Sequence, residues 1–192
     1  MVARLHGTAA VRTAVALAIL CAAPAARAEP EIGAGIEGGV LDLRGATAVA
    51  IGGELALAFG HGRLEPLTEL SFGTLIAKDP TERVGIYGAG RLGVRWRALR
   101  IEGIDLGLDL GLGGERYWID SASPADRAFG FAGWGTRIRI GKLGFALALR
   151  VEVAPKLDDP SALRVICRGT CTAPDDAPAD LTMVIDGEVF RW

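Results

Sequence analysis

Lysine is nearly missing from this chain: three residues in 192, against 18 arginines. Histidine occurs twice (His6 and His61), cysteine three times, and aromatic residues make up only 6%. So few histidines and cysteines leave no clustered His/Cys ligand set for a metal and no histidine-based catalytic constellation. After the first 28 residues, charges recur at close spacing. No later stretch reaches the roughly 18 uninterrupted apolar residues of a spanning helix. No segment carries a helical period, and no repeat is present, which excludes bundles and solenoids. Glycine is abundant, at 27 residues, but without a G-X-Y period, and half the residues are apolar. That combination excludes both collagen and a disordered chain.

What is present begins with a targeting segment. Arg4 and Arg12 supply a positive start, and Thr13–Ala23 is an apolar run. Ala26-Arg27-Ala28 before Glu29 has the small-residue pattern of a cleavage site. The expected organisation is a signal peptide over residues 1–28, cleaved after Ala28, and one domain over 29–192. Cys21 follows Leu20 rather than a small residue, which speaks against lipidation. Removing three arginines from 21 basic residues leaves 18 against 23 acidic ones, a net charge of −5. A chain of that sign is a poor partner for nucleic acid. Cys167 and Cys171, spaced C-x3-C in a polar segment, are expected to form a local disulfide outside the cytoplasm. No cofactor or metal site is expected.

The remaining chain alternates. Ile104–Leu112 reads I-D-L-G-L-D-L-G-L, with large aliphatics at every even position and Asp or Gly at every odd one. A period of two is a strand with one apolar face and one small or acidic face. The same pattern recurs in Ile32–Val40, Thr47–Phe59, Arg63–Ala77, Val84–Ala98, Arg127–Ile140, Leu143–Pro155 and Leu181–Trp192. A turn is expected near Leu99–Gly103, and Val84 is placed on the apolar face with Ile86, Leu92, Val94 and Trp96. In the last strand Phe190 and Trp192 fall out of phase with Met183, Ile185 and Val189, which calls for a bulge or another register. Pro66, inside the third strand, would mark an edge or bulge in an ordinary sheet.

The connections alternate loop, tight turn, loop, tight turn, loop, tight turn, long loop. Several strands exceed the 9–11 residues that a tilted strand needs to cross a bilayer. The polar faces are mostly small residues and single charges, which suits the crowded interior of a narrow barrel. Their charges change sign from strand to strand: Glu65 and Glu69, then Arg91, Arg95 and Arg97, then Asp105 and Asp109, then Arg137 and Arg139, with Arg150 and Glu152 on the seventh strand. Arginine at each basic position suits bidentate pairing with carboxylates. These residues are therefore expected to pair between neighbouring strands as an ionic network in the lumen, with the aliphatic face toward lipid.

In this layout (signal peptide, eight alternating segments, aromatic C-terminus) the chain resembles the eight-stranded outer-membrane barrels of Gram-negative bacteria, the OmpA/OmpX-like class. The resemblance covers everything after residue 28 and rests on no specific motif. It implies an all-β, eight-stranded antiparallel up-and-down transmembrane β-barrel in the cell outer membrane, with short periplasmic turns and longer outer loops. Phe59, Trp96, Trp118 and Trp192 are the candidates for a thin aromatic girdle. Phe190 and Trp192 are expected at the interface.

The expected function is structural or surface-interacting, with the lumen plugged by Arg/carboxylate pairs. The lipid bilayer is one partner, and an unidentified surface partner is expected at the long loop over residues 156–180. Two other readings compete: a soluble periplasmic, lipocalin-like barrel binding an apolar ligand, with Leu106, Leu108 and Leu110 pointing inward, and a narrow channel. An enzyme is not expected. Some barrels of this size modify lipid A with histidine, serine and acidic residues near the outer face, but His61 falls in a periplasmic turn between two glycines.

Overall fold

Alternating side chains fold into strands only when both rows of backbone groups find partners, and in lipid this requires a sheet without edges. The computed structural model describes residues 30–43, 46–59, 63–77, 82–120, 122–155 and 179–191. They form eight strands: β1 (Pro30–Leu43), β2 (Ala46–Phe59), β3 (Leu64–Ala77), β4 (Glu82–Ile101), β5 (Ile104–Ile119), β6 (Ala125–Ile140), β7 (Leu143–Ala154) and β8 (Asp180–Arg191). Each pairs antiparallel with the next, and β8 pairs with β1 to close the barrel. The signal segment, His61, Trp192, Cys167 and Cys171 lie outside the described residues.

Two hairpins close at Glu102-Gly103 and Gly141-Lys142, where Gly103 and Gly141 take positive φ (78° and 63°). Such φ values suit glycine and match the twist of a two-residue hairpin. The first of these turns lies within the expected Leu99–Gly103 and narrows it to its last two residues, because β4 runs on to Ile101. These hairpins and the β2–β3 connection define a turn end, and the other four connections define a loop end, where β1 and β2 are separated by two residues rather than by the expected loop over Asp42–Thr47. Pro66 sits at the turn end of β3, one residue past the last pairing with β2, at Ala58↔Leu67. It therefore removes no ladder bond on that side.

The aliphatic face points outward. Leu106, Leu108 and Leu110 are 40%, 47% and 68% exposed, and their counterparts on all eight strands are exposed too. The inward leucines of a lipocalin-like cavity are thereby overturned. A contiguous apolar surface of this extent, wrapped around a charged interior, is a lipid-facing surface. Trp96 and Trp134 flank Leu108 in register, and Trp118 follows ten residues later on β5. Ten residues span about 33 Å along a strand, or roughly 25 Å of membrane normal at the usual tilt, the height of a barrel's apolar band. The tryptophans thus bracket the band, and its mid-level on β5 falls near Leu112.

β4 carries two irregularities. Register with β3 skips Val84 (Leu75↔Gly85, then Ile76↔Arg83), and register with β5 skips Ala98 (Arg97↔Gly107, then Leu99↔Leu106). An extra residue reverses the faces locally. Val84 therefore turns inward, only 4% exposed, against the expectation that placed it outside. There it joins Leu41, Leu75, Tyr87, Tyr117, Ile119 and several alanines in an apolar cluster at the loop end. The interior is thus not polar throughout.

β8 needs no bulge. Its alternation is unbroken, with Met183, Ile185 and Val189 outside and Thr182, Val184, Asp186, Glu188 and Phe190 inside. Phe190 is a core residue rather than an interfacial one, and its ring lies directly over Gly144, where an added Cβ would collide with it. Phe129 lies in the same way on Gly113, and Phe131 on Gly93 and Gly111. The glycines of the small face are the floors on which large interior side chains rest.

Two substitutions check this arrangement. Leu112→Arg is expected to cost about 2–4 kcal/mol and Leu106→Arg about 0–1 kcal/mol, because the penalty follows depth in the bilayer. Urea unfolding in lipid vesicles measures both. Gly144→Ala is expected to destabilise by about 1–3 kcal/mol through overpacking, and Phe190→Leu in the same chain should recover part of that loss.

Candidate functional site inside the barrel

The lumen of an eight-stranded barrel is just wide enough for side chains to meet across it. Here the meeting groups are charged. Among the described residues, twelve carboxylate side chains are buried inside, together with Arg91, Arg95, Arg97, Arg137 and Arg150; Arg127 and Arg139 also reach in. A buried charge without a partner is costly, so the arrangement is governed by pairing. It falls into layers along the axis.

Nearest the turn end, Glu31, Glu65 and Asp105 meet Arg97, Arg137 and Arg139. Arg97 donates to Glu65 and lies 3.4 Å from Glu31 Oε1. Arg137 Nη1 donates to Glu31 Oε2 at 2.5 Å, and Arg139 Nη2 reaches Glu31 Oε1 at 3.1 Å and Asp105 Oδ2 at 3.2 Å. Arg100, at the rim, donates to Asp105 Oδ1 at 2.8 Å. The Phe190 ring lies beneath Arg137, 4.9 Å from the guanidinium carbon. A cation over a ring face gains electrostatic attraction, more so where water is excluded.

The central layer is built on two forks. Arg95 donates to Asp109 from Nε at 2.6 Å and from Nη2 at 2.7 Å. Arg150, fully buried, donates to both oxygens of Glu69 at 2.6 and 2.5 Å. Its Nη1 lies 2.7 Å from Asp186 Oδ2 and 3.8 Å from Glu54 Oε1, and its Nη2 lies 3.6 Å from Asp109 Oδ2. One guanidinium on β7 thus reaches carboxylates from β2, β3, β5 and β8. Glu188 of β8 borders the same space.

Toward the loop end, Arg91 Nε donates to Glu152 Oε1 at 2.6 Å and Nη1 to Glu37 Oε2 at 2.6 Å. The Tyr87 hydroxyl donates to Glu37 Oε1 at 3.0 Å. Above them Arg127 bonds Glu115 and donates to Asp180 at 2.9 Å and the Tyr117 hydroxyl at 3.0 Å. The apolar cluster around Tyr87 and Tyr117 surrounds this level. Among the described residues, small cavities interrupt the filling at two levels. One, toward the turn end, is lined by Arg95, Arg97, Asp105, Thr136 and Arg137, and the other by Glu37, Tyr87, Arg91, Tyr117 and Glu152. Neither is lined by Arg150 or Glu69; on β7, Arg150 stands between Ala148, which lines the first, and Glu152, which lines the second.

All eleven charged residues expected in the lumen are inside, but their partners differ from those expected. Glu65 and Glu69 stand opposite Arg95 and Arg91 in the β3–β4 register, yet they bond Arg97 and Arg150. Arg91 crosses the lumen to Glu37 and Glu152, and Arg137 crosses to Glu31 instead of bonding Asp105 beside it. Arg95–Asp109 follows the strand ladder directly, as Glu115–Arg127 and Arg100–Asp105 also do. The physical reason is reach. In so narrow a lumen a long arginine reaches a carboxylate on the far wall as well as one beside it, so strand adjacency alone does not choose the partner. Glu31, Glu37, Glu54, Glu115, Arg127, Asp180, Asp186 and Glu188 belong to the same interior and were not among those expected. Their strand parity, shared with residues such as Gly33, Gly39 and Thr182, was the signal available.

No protein-family model matches the sequence, and no curated protein matches it. Solved structures share the architecture. Neisserial surface protein A (NspA) superposes with a TM-score of 0.61 at 8% identity, over 85% of this chain and 97% of that one. Ail, the attachment invasion locus protein of Yersinia pestis, in complex with the heparin analogue sucrose octasulfate, gives 0.53 at 13% identity, over 85% and 97%. A major outer membrane protein from Thermus thermophilus gives 0.51 at 11%, over 85% and 100%. At such identities the likeness is one of fold: this chain is an eight-stranded barrel of the outer-membrane type.

Proposed function

We propose that the protein is exported to the outer membrane and stands there as a structural or surface-interacting barrel, its lumen closed by the Arg/carboxylate network. The observation that carries this reading is Arg150. It is fully buried and joins carboxylates from four other strands, in the layer between the two interior cavities. Charge-assisted, forked bonds of this kind are strong and geometrically specific, so the layer separates the cavities instead of letting water connect them. The apolar cluster at the loop end adds a second closure. An interior filled in this way leaves the connections as the surface that a partner would meet; the longest in the sequence joins β7 to β8, with residues 156–178 of it outside the described ones and Asp180 already in β8. The protein acts in this reading without enzymatic chemistry, so His61→Ala should leave membrane lipid composition unchanged.

Conductance across a planar bilayer tests the plug. The wild-type barrel is expected to show no sustained steps, and regular open-channel steps would favour the narrow-channel reading instead. Arg150→Ala removes the central fork and leaves buried carboxylates unpaired, which is expected to destabilise the barrel by about 3–5 kcal/mol. The fraction that still folds, identified by heat-modifiable mobility on a gel, should conduct. A silent, stable Arg150→Ala barrel would show that Arg150 does not close the lumen.

A further inference from the structure

The central layer does not balance. Five carboxylates, those of Glu54, Glu69, Asp109, Asp186 and Glu188, share it with two arginines, Arg95 and Arg150. The arginines on either side are committed elsewhere, Arg91 to Glu37 and Glu152, and Arg137 to Glu31. The shortage is concentrated in one place. Carboxylate oxygens of Glu54, Glu69 and Glu188 all lie within 4.8 Å of one another, and all three residues are buried.

The pairing in this pocket is incomplete in the same direction. Glu54 is 3% exposed, and neither of its carboxylate oxygens has a hydrogen-bond partner; its nearest guanidinium nitrogen is Arg150 Nη1, at 3.8 Å. Glu188 is 4% exposed, and its Oε1 has no hydrogen-bond partner. Oxygens of this kind, deep in a low-dielectric interior, call for a positive charge that the nearby side chains among the described residues do not supply.

The backbone is shaped to bring these groups together. Glu54 on β2 and Glu188 on β8 stand opposite the same residue of β1, Gly35, one on each side. Gly35 puts no side chain of its own between them, and β8 backbone packs where its Cβ would be. The Glu188 carboxylate also lies over Gly33, with Oε2 3.1 Å from where a Cβ would sit. Glu69 on β3 approaches diagonally, two residues from the position facing Glu54. Its fork with Arg150 uses one lone pair on each oxygen, and each oxygen has a second.

From these observations we propose that Glu54, Glu69 and Glu188 form a binding site for a hard divalent cation, of the calcium or magnesium class, inside the barrel. Oxygen-only donors suit that class. Oxygens up to 4.8 Å apart can be shared by one calcium ion, which sits about 2.4 Å from each ligand. The inference goes beyond the plugged-barrel reading, and conductance and metal content report on the two separately. With arginine layers on both sides and the apolar cluster at the loop end, the ion would enter as the barrel folds and leave slowly afterwards.

The test is refolding of the full barrel into detergent micelles in three media: EDTA, calcium and magnesium. Folding is scored by heat-modifiable mobility. Expected is a wild-type barrel that retains one divalent ion after gel filtration into metal-free buffer, measured by elemental analysis. Its urea midpoint should be higher with that ion than in EDTA, because a ligand bound only by the folded state raises stability. The variant Glu54→Gln/Glu188→Gln removes two of the excess charges. It should retain no ion, show no metal-dependent midpoint, and in EDTA unfold at a higher urea concentration than wild type. Glu188→Gln alone serves if the double variant does not fold, and should lower retention at least tenfold. Three results would overturn the site: a wild-type barrel that retains no ion and shows no shift, a variant that retains the ion as wild type does, or an EDTA midpoint lower in the variant than in wild type.

Discussion

A barrel of eight strands has room inside for side chains and little else, and every polar group placed there must find its partner without water. Much of this chain follows from that constraint. Arginine replaces lysine because a flat fork satisfies a carboxylate through two bonds at fixed geometry, whereas an ammonium would leave donors to be met elsewhere. Glycine lies beneath the rings of Phe129, Phe131 and Phe190 because the lumen cannot hold a ring and a Cβ at the same level. The rings in turn lie under guanidinium groups, as Phe190 does under Arg137 and Phe131 under Arg150. Charge, ring and glycine form a stack that recurs down the axis.

The outside answers to the opposite requirement. There the side chains meet a solvent as apolar as themselves, so they need no complementary partners, only sufficient hydrophobicity between the interfaces. This explains why outward residues vary freely among Ile, Leu, Val, Phe and Met, while inward ones are specific. It also explains how a chain with 6% aromatics can still mark the membrane boundaries. Trp96 and Trp134 toward one end and Trp118 toward the other are few but well separated.

The strands and their two faces were legible in the sequence because a period of two survives any choice of partner. In Ile104–Leu112 the alternation alone separated every leucine from both aspartates. What could not be read depends on counting across strands. The skipped residues Val84 and Ala98 follow no local signal, because a bulge is defined by what the neighbouring strand does. Phe190 reads as out of phase only while an aromatic is expected on the lipid side; the lumen had a glycine floor waiting for it on β7. Pairing partners were the least legible of all. Glu69 meets Arg150, 81 residues away, rather than Arg91 beside it, and only closure of the barrel creates that proximity.

That distance along the chain bears on how the barrel assembles. Glu31 bonds Arg137 across 106 residues, Arg91 bonds Glu152 across 61, and Arg150 bonds Glu69 across 81. A single hairpin entering the bilayer would carry these charges with no counterpart, and would also expose two unpaired strand edges to hydrocarbon. Neither penalty is lifted until the last strand meets the first. Insertion and closure are therefore expected to be one cooperative event, slow because its decisive contacts are remote, and stepwise entry of hairpins is disfavoured by the same arginines that hold the finished barrel together.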